Sequence, residues 1–181
     1  FDLLESISRQ FTAGIGRALN RIVIGNTAFG KFSGPFVGEH SERGSISFKG
    51  NLPTYEELLM MEGITADKGV QMVGFCYVMN AVTAARLKAT PKTAGDGRMI
   101  IEDGTIGGHP VFIADSNKIA NGNVNAGCFA YCMVNQHGDS SLVVDPYTKA
   151  KKNAIQITLN EDWSVTTLKY EAFCVGTANP S

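Results

Sequence analysis

Four cysteines and three histidines are the residues with which this sequence could attempt nucleophilic or metal chemistry. Cys76 as nucleophile, His109 or His137 as base and Asp115 or Asp139 to orient the imidazole would make a cysteine hydrolase. The surroundings oppose that reading. Cys76 stands between Phe75 and Tyr77 in the apolar run Val70 to Met79, where burial raises a thiol's pKa and no helix N-terminus or cation stabilises the thiolate. Cys128 and Cys132 are four apart, a spacing that puts both on one face of a strand, but zinc needs further ligands, and no second pair or histidine stands near. With Cys174 they read as reduced, packed core thiols. His109 precedes Pro110 and reads as extended backbone, His137 in "QHGD" as a solvated turn residue, and His40 lies in a glycine-rich connection. No HExxH-like spacing joins them, so no catalytic residue, metal ligand or cofactor is expected.

Two stretches suggest phosphate contact. The glycines of "GNTAFGKFSG" follow a helix, whereas phosphate-cradling glycines follow a strand and open a helix. Lys149, Lys151 and Lys152 lie in "VVDPYTKAKKNAIQITLNEDW" without interleaved aromatics, which reads as a solvated turn. Asp145-Pro146 ends the strand at Val144, so this stretch is expected to be a crossover between substructures, reaching a new strand at Ile155.

The elements that would position these residues follow from periodicity. Apolar groups at Leu3, Ile7, Phe11, Ile15, Leu19 and Ile22 make one stripe on a long helix from Asp2 to Ile24, closed by Gly25-Asn26. Gly25 to Gly50 is read as a partly ordered connection with a strand at Ile46 to Phe48. Thr54 and Glu57 form a capping box for a helix from Tyr55 to Glu62 that stops at Gly63. The run Val70 to Met79 has the character of a strand covered on both faces, and Asn80 caps a helix to about Lys88. Met99 to Ile101 and Val111 to Ala114 are expected to pair as a hairpin. "DSNKIANGNVNAG" is expected to be a loop. Cys128 to Asn135, Leu142 to Val144, Ile155 to Leu159 and Val165 to Val175 follow as strands, parted by turns at "QHGD", "DPYT" and "NEDW".

Composition narrows the function classes. The 181 residues are 44% hydrophobic and 18% charged, enough to bury a core, with a formal net charge of -1 that provides no global field for nucleic acid or an acidic membrane. The longest apolar runs fall well short of the ~20 residues that span a bilayer. The start at Phe1, without Met or a signal sequence, is expected to mark a processed or trimmed product.

The order of parts is more specific than any one of them. A long amphipathic helix, then "GNTAFGKFSGPF", "VMNAVTAARLK", "DGRMIIEDGTIGGHPVFIA" and "LVVDPYTKAKKNAIQITLNEDWSVTTLKYEAFCV" together resemble the C-terminal part of tailed-bacteriophage major capsid proteins with the Hong Kong 97-like fold. The resemblance covers nearly the whole chain. It implies an α+β fold with a long spine helix and mixed sheets, divided into a peripheral domain (1–52 plus 150–181) and an axial domain (53–149). It further implies a non-enzymatic virion protein that self-assembles, through hexameric and pentameric capsomers, into an icosahedral head around packaged DNA. Assembly in the host bacterial cytoplasm, scaffold, protease and portal partners, and weak non-specific contact with DNA belong to the same expectation, with no membrane involved. The tip Thr90 to Gly97 would lie at the innermost edge of the axial domain, mobile in an isolated subunit. An N-terminal arm and an extended loop would precede the spine helix. The family's crosslinking lysine belongs to that loop, so no catalytic residue is carried over. Encapsulin-like shells share the fold and are the alternative; a small cysteine hydrolase is the alternative of another class.

Overall fold

The computed structural model describes residues 3–95, 97–114, 119–152 and 154–179. The chain opens with α1 (Leu3–Ile24), the helix expected from the apolar stripe, with Glu5 in its first turn and Arg21 in its last, where each charge suits the helix dipole. Within the stripe Ile7, Phe11, Ile15 and Leu19 are half-buried, and Ile22 is buried.

Around the chain's main core lie β1 (Gly44–Ser47), α2 (Tyr55–Asp67), β2 (Phe75–Asn80), α3 (Ala81–Lys88), β3 (Thr105–Ile106), β4 (His109–Ala114), β5 (Val124–Cys128) and β8 (Phe173–Thr177). Their strands form one mixed sheet in the order β1-β8-β5-β2-β4-β3. β1 runs parallel to β8 and β2 parallel to β4, while β5 is antiparallel to both β2 and β8. Successive side chains of β2 point to opposite faces. Phe75, Tyr77 and Met79 join Leu58, Met61, Leu87 and Phe173 in the main core, whereas Cys76 and Val78 meet Ala114, Ile119 and the end of α1 at Ile24 on the other side. Burying each of these large side chains contributes about 1.5–3 kcal/mol.

Local chemistry fixes both short helices. The Thr54 hydroxyl accepts from Glu57 N, and the Glu57 carboxylate accepts from the Thr54 and Lys49 backbone N–H groups, each at 2.8 Å. The helix continues through Gly63 to Asp67, since Ile64 packs on the core and Thr65 is buried beyond it. Asn80 caps α3 by accepting from Thr83 N at 2.7 Å, and its amide donates to Ile119 O and Asn121 Oδ1, tying the loop before β5 to the helix start.

Two long strands, β6 (Cys132–Asp145) and β7 (Gln156–Thr167), form a separate two-stranded antiparallel ribbon. One face carries the pairs Val134–Val165, Gln136–Trp163, Leu142–Leu159 and Val144–Ile157, and α1 packs against β7 there. The other face pairs His137 with Asp162 and Ser141 with Asn160.

Several expectations change. "QHGD" does not end a strand: Gly138, at φ 80°, sits within a register shift between His137 and Ser141, so β6 runs on as one bulged strand. "NEDW" likewise lies inside β7. The lysine-rich stretch is the turn of the ribbon rather than a crossover between substructures. Met99 bridges Pro91 instead of pairing with Val111, and β4 pairs with β3 and, in parallel, with β2. Gly74, at φ 67°, delays the strand expected from Val70 until Phe75. The division of 1–52 with 150–181 against 53–149 would run between paired strands. It parts β1 and β8 from β5 and β2, and β6 from β7.

Candidate functional site

The thiols are placed for packing. Burial, reinforced by the neighbouring Cys128 thiol, pushes Cys76 up to about 12. Burial pushes Cys174 up to about 12 as well, outweighing the opposing charges of Lys68 and Arg43. Cys128 and Cys132 are also raised by burial. These last two do not share a strand face: Cys128 closes β5, Cys132 opens β6, and a 3-10 turn at Phe129–Tyr131 separates them.

The histidines go to three different places. His109 Nε2 lies 3.0 Å from Glu62 Oε1, and its ring meets the edge of Phe75 at 5.0 Å. Phe75 and Cys76 face opposite sides of the sheet, so His109 and Cys76 are separated by the sheet itself. His137 lies on the exposed ribbon, 2.9 Å from Ser164 Oγ, and Asp139 is exposed nearby. His40 stacks on Tyr170 at 3.8 Å. Asp115 lies outside the described residues. The cysteine-hydrolase arrangement is therefore not formed by Cys76 and either histidine. Among the described residues no three His, Cys, Asp or Glu side chains group as a metal site, and no helix is long and apolar enough to cross a membrane.

What the chain offers instead is surface. At the ribbon's turn Asp145 accepts from the Tyr147 and Thr148 N–H groups at 2.8 and 3.1 Å and from the Thr148 hydroxyl. That hydroxyl bond first, and then the backbone bonds, hold its carboxyl below the usual carboxylate value. The turn so fixed presents Lys149, Lys151 and Lys152 to solvent together with Tyr147, 84% exposed, and Ile155, 64% exposed. Further down the ribbon the charge reverses: Asp139, Glu161 and Asp162 gather at the bulge, with Glu161 accepting from Ser140 Oγ at 2.6 Å and Trp163 Nε1 at 2.8 Å. Between α1 and β7 lies an open apolar cleft of about 220 Å³ lined by Leu19, Ile22, Phe29, Phe32, Leu159 and Trp163. In the loop after α3 Lys92 is anchored to Glu102 at 3.0 Å and lies over the Tyr55 ring, while Thr93 to Gly95 are exposed.

A long helix braced by a two-stranded ribbon beside a mixed sheet, with half-buried apolar surface, suits a subunit that completes itself against neighbours. The family model described as the phage capsid family matches residues 1–178. The chain belongs to the phage capsid family. It is a structural subunit of a virion capsid rather than an enzyme, and its self-association into oligomeric shells is the activity this membership carries.

Solved capsids share the fold. The capsid of a native GTA particle superimposes with a TM-score of 0.77 at 16% identity, covering 99% of this chain and 73% of that one. The capsid of an empty GTA particle gives 0.75 at 16%, covering 99% and 67%. A chain from Microbacterium phage Oxtober96 gives 0.75 at 12%, covering 99% and 66%. The chain thus spans about two thirds to three quarters of the length of these relatives. No curated protein sequence gives a significant match.

Sequence reasoning missed the open edge of the ribbon. Its signal was present in "SLVVD", three adjacent apolar residues, but the turn read into "QHGD" cut the strand short.

Proposed function

We propose that this subunit closes with copies of itself, as hexameric and pentameric capsomers, into an icosahedral head around packaged DNA in the host bacterial cytoplasm. The family match over residues 1–178 carries the reading. In this proposal the peripheral part is α1 with the β6-β7 ribbon, and the axial part is the six-stranded sheet with α2 and α3, because strands joined by hydrogen bonds move together. The tip around Thr93 to Gly95 then faces a capsomer axis. Scaffold, protease and portal proteins are the further partners proposed. DNA contact is weak and non-specific, since Lys149, Lys151 and Lys152 act against a net charge of -1. Electron microscopy of the protein expressed from its complete reading frame tests the reading. Closed shells support it; a monodisperse monomer at every concentration would refute it.

A further inference from the structure

Leu142, Val143 and Val144 are 42%, 49% and 44% exposed. Consecutive strand residues point to opposite faces, so solvent reaches both faces of the ribbon here. The outer edge of β6 also has no strand partner among the described residues. An open edge with three adjacent exposed apolar residues is a template for another strand, and soluble proteins keep such edges covered. A two-stranded ribbon is itself marginal in water without added support.

We propose that β6 of one subunit pairs, edge to edge and antiparallel, with β6 of a second copy of this chain about a two-fold axis near Val144. The order of charges selects that partner and that orientation. Asp139 and Lys149 stand five positions to either side of Val144. Antiparallel pairing centred there sets the lysine turn of each copy beside Asp139 of the other, with Asp162 on the same stretch of ribbon through its pairing with His137. The apolar run meets its own copy in the middle. Parallel pairing would instead align lysines with lysines and aspartates with aspartates. A two-fold contact makes each of these interactions twice, so one short segment supplies a self-complementary patch. The proposal rests on the shell reading and names one of its contacts.

A charge exchange tests it in the protein expressed from its complete reading frame. One variant carries Lys149→Glu, Lys151→Glu and Lys152→Glu; the other carries Asp139→Lys and Asp162→Lys. All five side chains are exposed, and circular dichroism checks that both variants fold. In sedimentation velocity at low salt each variant alone should self-associate about tenfold or more weakly than the parent, because like charges then face each other across the axis. An equimolar mixture should recover association, since each turn again meets a middle of opposite sign. Unchanged association of either variant alone, or a mixture no better than its components, overturns the pairing. Shells that form normally from both single variants would overturn the pairing and leave the shell reading standing. A parent protein that neither associates nor forms shells would remove both.

Discussion

Asn125 is the most informative single residue for the joint between the spine helix and the sheet. It sits in β5 with no exposed surface, and its Nδ2 donates to the Ile24 carbonyl at 3.0 Å and to Asn26 Oδ1. Asn125→Ala removes both donated bonds and leaves oxygen acceptors at the end of α1 unpaired, a cost of about 2 kcal/mol. For a chain of this size that lowers Tm by roughly 4–8 °C. Asn125→Asp keeps the shape but aims a carboxylate at two oxygens and at the negative end of the helix dipole, and an uncompensated buried charge costs about 3–5 kcal/mol near neutral pH. Such a carboxyl has its pKa raised on folding. Its penalty is therefore absent below the unfolded value of about 3.9 and grows as pH rises through the folded one. Urea melts of both variants at several pH values should show the aspartate variant as the weaker near pH 7, with the gap narrowing toward pH 4. Equal stability at pH 7, or a gap indifferent to pH, would refute the account of Asn125 as an obligatory donor.

Gly176→Ala should destabilise by about 1–3 kcal/mol in urea melts, because an added Cβ would lie 2.1 Å from Cζ of the buried Phe48 ring. Gly63→Ala, where nothing lies within 4 Å, should instead stabilise α2 by up to about 1 kcal/mol. Glu57→Ala should cost about 1 kcal/mol through the lost capping box. Burial pushes the Glu57 carboxyl up, but its bonds from Thr54 and Lys49 outweigh that and hold it below its ordinary 4.5. Its contribution is thus full above 4.5 and fades as pH falls, and the variant's acid unfolding profile should lose that part of its slope. In native protein at pH 8, thiol reagents should label Cys76 and Cys174 only at the rate of unfolding, and rapid stoichiometric labelling of either would contradict their burial. Limited proteolysis should cut first within Thr93 to Gly95, the exposed end of a loop anchored at Lys92.

The helices were the legible part of this sequence. The stripe of α1, the Thr54–Glu57 box and the Asn80 cap are local signals, each satisfied within a few residues. The strands were less legible, for identifiable reasons. β5, "VNAGC", is buried throughout and built of small and polar residues, so it shows neither alternation nor a large apolar run. The Nδ2 of Asn125 finds its acceptors at the end of α1 and in Asn26, far along the chain, where no local pattern shows them. Gly138 read as a turn because a glycine with φ above zero serves a bulge as readily as a turn, and only the pairing of β6 with β7 tells them apart. The burial of Cys76 was readable from its apolar run. The placement of His109 on the opposite side of the sheet was not, since it depends on the parallel pairing of β2 with β4.

The place of β8 between β1 and β5 bears on when the sheet can close during synthesis. During synthesis β1 leaves the ribosome well before its hydrogen-bonding neighbour, Cys174 to Thr177, which lies far along the sequence from it. Until those residues emerge, β1 has no strand to join and β5 has one bare side. The sheet therefore closes only once β8 has been made, and a nascent chain that has not yet reached Phe173 lacks the strand that joins β1 to β5. A product truncated before Phe173 would carry the spine helix and the ribbon but an open sheet. Strand order alone thus makes closure of the sheet wait for the last of its strands to be synthesised.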